Sequence, residues 1–106
     1  VICFYWLNQD ELELALKESH RRLVVLDFFA EWCGPCKKAI PEFHKIGEDY
    51  PEVLCCKVNV DEVENAGEEY NITGMPTFIA FRDGKRIDEV VGGRTELVRK
   101  MIEKYK

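Results

Sequence analysis

A chain of 106 residues, 46% hydrophobic and 33% charged, has the size and composition of one domain that buries a core, which excludes a disordered chain. Its 15 basic against 20 acidic side chains leave a formal net charge of -5, an argument against non-specific nucleic-acid binding and against adhesion to acidic membranes. No apolar run approaches the ~20 residues of a membrane helix, and no stretch reads as a linker, so residues 1–106 are expected to form a single domain.

The opening VICFYWL is apolar but has neither a basic lead nor a small-residue cleavage site, so it reads as a buried strand rather than a signal peptide. In NQDELELALKESH, Asn8 caps a helix, Glu11 completes a capping box, and Leu7 and Leu12 are placed as a hydrophobic staple. LVVLDFFA (23–30) is apolar at odd and even positions alike, as expected of a strand covered by helices on two faces; Asp27 is its exception. From Cys33 the pattern turns helical, with Cys36, Ala39, Ile40, Phe43, Ile46 and Tyr50 at three- and four-residue steps and Pro41 predicting a kink. VLCCKVNV (53–60) is a second buried strand, again with one charge, Lys57.

DEVENAGEEY is a weakly patterned short helix that Gly67 disfavours. PTFIAFRDGKRIDEVVGG reads as two strands joined by Asp83-Gly84, a two-residue hairpin signal. Leu97, Val98, Met101, Ile102 and Tyr105 then form the stripe of a final helix. The order β-α-β-α-β-α-β-β-α defines an α/β chain with parallel strands, an antiparallel hairpin at one edge, and helices on both faces of a central sheet.

Five cysteines is an odd number, and Cys3, Cys55 and Cys56 lie inside apolar runs, where a free cysteine behaves as a small hydrophobe. A reducing compartment fits this usage better than a secreted disulfide scaffold does. Cys55 and Cys56 are expected on opposite faces of their strand, as inert core thiols, the alternative being regulatory oxidation.

Cys33 and Cys36 differ from these. Cys33 follows a buried strand and opens a helix, where unpaired N–H groups and the helix dipole favour a thiolate. Cys36 projects one turn later to nearly the same side, within reach of a disulfide, and Pro35 is preorganised for a first helical turn. A structural disulfide would close too short a loop to constrain the unfolded chain much. Zinc needs about four ligands, whereas this chain has no second C-x-x-C, and His20 and His44 stand isolated. Redox chemistry is the reading that survives.

FFAEWCGPCK, followed downstream by GMPTF, resembles the thioredoxin family, and the likeness runs the whole chain because the element order is also the family's. The resemblance implies a thioredoxin fold, a central mixed five-stranded sheet flanked by four helices on both faces. It implies Cys33 as the attacking thiolate, more exposed than Cys36, and Cys36 as the resolving thiol. Asp27 is then the proton acceptor for Cys36, its pKa raised by burial, the alternative being a carboxylate that faces solvent at a strand end. The matching family lysine implies that Lys57 lies beside Asp27, the alternative being a lysine that snorkels to water. Pro76 matches a cis proline whose loop faces the cysteines and pairs with an extended substrate, the alternative being a trans proline at a strand start.

Trp32, Gly34, Pro35, Met75, Pro76 and Gly92 would line the substrate groove, although Trp32 could equally be core and Gly92-Gly93 a simple break. Phe29 stands where many members carry tryptophan or tyrosine. The implied activity is protein-disulfide reduction, with no bound cofactor and with electrons from NADPH through thioredoxin reductase. The partners are that reductase and disulfide-containing clients, with neither nucleic acid nor membrane, and the setting is cytoplasmic redox homeostasis. The rival is an interaction module that docks partners through the same groove.

Overall fold

The computed structural model describes residues 2–106, with side chains from Trp6 onward. Nine elements follow in chain order: β1 (Ile2–Trp6), α1 (Gln9–Glu18), β2 (Val24–Phe29), α2 (Gly34–Asp49), β3 (Leu54–Asn59), α3 (Ala66–Glu69), β4 (Thr77–Arg82), β5 (Lys85–Val91) and α4 (Thr95–Tyr105). The strands form one mixed sheet in the order β1-β3-β2-β4-β5. β3 runs parallel to both β1 and β2, whereas β4 runs antiparallel to β2 and β5.

Local chemistry accounts for the boundaries. The Asn8 side chain accepts from the Glu11 N–H at 2.8 Å while Glu11 Oε1 accepts from the Asn8 N–H at 2.9 Å, so the capping box starts α1 as anticipated. Leu7 and Leu12 are buried in one cluster, as a staple requires. α2 continues through Pro41 to Asp49. α3 is shorter than its pattern suggested, a single turn around Gly67. The β4–β5 turn has both central residues at positive φ, Asp83 at 55° and Gly84 at 76°, which is why a short polar residue and a glycine stand there.

β2 is buried at every position. One sheet face packs Leu23, Val25, Cys55, Phe78 and Ala80 against Ala39, Phe43 and Ile46 of α2 and Val98, Met101 and Ile102 of α4. The other packs Val24, Leu26, Phe28, Cys56, Val58 and Ile79 against Leu12 and Ala15 of α1 and Ala66 of α3. Cys55 and Cys56 therefore take opposite faces. One expectation needs correcting: Cys55 is a free buried thiol, but Cys56 is disulfide-bonded and not an inert core thiol. The side chain of Cys3 lies outside the described residues.

Candidate functional site

β2 ends at Phe29 in the middle of the sheet and delivers the chain to the start of α2. Cys33 is the N-cap of that helix, in extended conformation (φ -92°, ψ 111°), and its Sγ accepts from the Cys36 N–H at 3.3 Å. The sulfur thus occupies the place usually held by a capping oxygen, where the unpaired amide dipoles favour negative charge. Cys33 and Cys36 are joined as a disulfide, with Cα atoms 5.3 Å apart. The difference in depth is smaller than expected: Cys33 is 7% exposed and Cys36 fully buried, so the outer cysteine shows only a small area to solvent. Gly34 and Pro35 between them are exposed.

The loop before β4 closes over this pair. The Met75–Pro76 bond is cis, as the resemblance implied. The Met75 carbonyl oxygen lies 3.8 Å from Cys33 Sγ, and Met75 packs beside Phe29, Ala30, Cys33 and Cys36. The Gly92 N–H donates to the Pro76 carbonyl at 2.7 Å, and Gly92 has φ 97°, a conformation few other residues adopt. Gly93 comes close to α2, since a Cβ there would stand 3.9 Å from the Pro35 carbonyl. Gly34, Pro35, Met75, Pro76 and Gly92 therefore converge around the disulfide. Trp32 stands at its edge, 69% exposed, with its indole N–H donating to Asp61 Oδ2 at 2.9 Å.

Beneath α2 lies a carboxyl group. Asp27 is fully buried, and neither of its oxygens has a hydrogen-bond partner. Desolvation pushes its pKa from 3.8 up to about 8, with the Lys57 charge opposing the rise. Lys57 is its register partner on β3 and is 3% exposed. Burial pulls the Lys57 ammonium below its ordinary pKa, and Asp27 partly restores it. The two charged exceptions of the sequence are thus neighbours, but the Lys57 Nζ lies 2.8 Å from His44 Nε2 on α2. His44, isolated by spacing, belongs to the site; no periodicity links positions 44 and 57, and only the fold does. Asp61 is a second residue the motifs did not indicate.

Among the described residues no group of three or more His, Cys, Asp or Glu side chains could hold a metal ion. None of the helices is long and apolar enough to cross a membrane among those residues. Two sulfurs that close and open at a helix start, with a buried carboxyl below and a cis-proline loop above, define a dithiol–disulfide exchange site.

The comparisons with known proteins agree. A family model described as thioredoxin matches residues 4–104. Thioredoxin 1 of Plasmodium falciparum is 42% identical over 87 residues, which are 82% of this chain and 84% of that protein. The crystal structure of Schistosoma mansoni thioredoxin superposes with a TM-score of 0.89 at 41% identity, covering 99% of this chain and 95% of that one. That of Fasciola hepatica thioredoxin gives 0.85 at 40% identity, over 92% and 93%. The chain belongs to the thioredoxin family and is a thiol–disulfide oxidoreductase.

Proposed function

We propose that this chain, folded as one domain over residues 1–106, reduces client-protein disulfides through Cys33 and Cys36 and is recharged by an NADPH-dependent thioredoxin reductase. The observation that carries the reading is the Cys33 sulfur in the N-cap position of α2, bonded to Cys36 and faced by the Met75 carbonyl.

In the reduced protein the Cys33 thiolate attacks one sulfur of a client disulfide. The client S–S bond breaks, its far sulfur leaves as a thiolate, and a mixed disulfide forms. Cys36 then gives its proton to ionised Asp27 and attacks Cys33 Sγ. The mixed disulfide breaks, the second client sulfur leaves, and the Cys33–Cys36 bond closes. Two electrons have passed to the client. A carboxyl with a pKa near 8 is matched to a thiol's, so it can take and return the proton near neutrality. Lys57 supplies the charge that eases its ionisation.

Trp32, Gly34, Pro35, Met75, Pro76 and Gly92 form the rim on which an extended client segment lies, with backbone pairing at Met75 in the manner of an added strand. The protein binds no cofactor of its own. Its place is cytoplasmic electron transport and redox homeostasis.

Insulin-disulfide reduction with NADPH and thioredoxin reductase tests this. The wild type should turn over, and Cys36→Ser should lose at least about a thousandfold while accumulating a covalent Cys33–client adduct visible by mass spectrometry. A wild-type chain that binds clients without turnover, or a Cys33 thiol with an ordinary pKa, would defeat the proposal.

A further inference from the structure

Lys57 lies within range of two titratable groups on the same face of the sheet, Asp27 and His44. Asp27 is its register neighbour on β2, and His44 reaches down to it from α2. An ammonium has no lone pair, so it donates to His44 Nε2, and the neutral ring carries its proton on Nδ1. Both Asp27 oxygens lack a hydrogen-bond partner. This division suits a protonated carboxyl, which offers an ammonium little. Once Asp27 ionises, a fully buried carboxylate without a partner is costly, and the charge acting on it is that of Lys57.

We propose that His44 is a positioning residue: it berths the Lys57 ammonium against α2, away from Asp27, and so sets the pH at which Asp27 gives up its proton. Ionisation of Asp27 draws the ammonium across, away from the imidazole, and reprotonation returns it. The inference rests on Asp27 as the proton carrier of the exchange reaction. The charged groups around His44 fit this role. Burial and then Lys57 hold its pKa below 6.5, while Glu48 on its own helix pulls the other way. From α4, Arg99 is engaged by Glu42 and Asp49, and the described side chain of β1 is the uncharged Trp6. His44 is therefore neutral, and an acceptor, across the range in which Asp27 titrates.

The test is the titration of the Asp27 carboxyl by carbon-13 NMR in the oxidised protein, where neither active-site thiol ionises. His44→Leu, which removes the acceptor from a half-exposed helical position, should lower the Asp27 pKa by about one unit, roughly tenfold in its ionisation constant. His44→Gln keeps an acceptor and should hold most of the wild-type value. In a Lys57→Met background, His44→Leu should change nothing further. An unmoved titration in His44→Leu, an equal shift in His44→Gln, or a persisting shift without Lys57 would each overturn the proposal. The pH profile of insulin reduction should shift toward acid together with the titration. A moved titration with an unmoved profile supports the berth and removes Asp27 from the reaction.

Discussion

The two faces of the sheet use the same strands and differ by one residue. Leu26 and Cys56 point toward α1 and α3 into a wholly apolar layer, while Asp27 and Lys57, the next residues along, sit on the α2 face. Side chains alternate strictly along a strand, so neighbouring positions can serve opposite purposes without disturbing each other. The α1 face is built from apolar side chains, with the disulfide-bonded Cys56 among them. The α2 face accepts two ionisable groups in its interior, and it is the face covered by the helix that carries both cysteines. The chain places its cost in stability on the side where chemistry needs it.

The sharpest way to break this comparison is one substitution on each face. Phe28 is fully buried among α1-side residues and packs against Tyr70 at 4.9 Å between ring centroids. Phe28→Ala should lower unfolding free energy by about 3–5 kcal/mol in urea melts, with turnover per folded molecule retained. Asp27→Asn should act in the opposite direction. The folded-state pKa of Asp27 lies above its unfolded value, near 8 against 3.8, so between these pH values the native state holds more protons. Stability contributed by the buried carboxyl is therefore full below about pH 4 and declines as pH rises to about 8. That displacement caps the effect at roughly 5–6 kcal/mol. Asp27→Asn should match wild type near pH 4, gain steadily to pH 8, and lose on the order of tenfold to a hundredfold in turnover. A stability gain independent of pH would show that the carboxyl is not the cause.

Legibility in the sequence followed the same division. The apolar layers were readable because strands buried on both faces carry unbroken apolar runs and helices carry three- and four-residue stripes. Asp27 and Lys57 were readable as violations of those runs, and Cys33, Cys36 and Pro76 through their local motifs. What stayed hidden was pairing across elements. His44 meets Lys57 because α2 lies over β3, and Asp61 meets Trp32 because the loop after β3 returns to the start of α2. Neither partnership leaves a periodic trace along the chain. The near-burial of Cys33 was also missed, since Met75 is brought over it only by the loop preceding β4.

Cys55 provides the smallest and most discriminating comparison. It lies on the α2 face, two residues before Lys57, yet its surroundings are those of the apolar core. Burial pushes its thiol up to about 12, so at pH 8 almost none of it is thiolate. The native reduced protein should therefore leave Cys55 unmodified by iodoacetamide at pH 8 while Cys33 reacts, and denaturant should expose it. Cys55→Val, close in volume, should change stability by less than about 1.5 kcal/mol and leave insulin reduction unaltered. Residence on the reactive face would then not suffice for redox work: the sulfur must also stand where a helix begins.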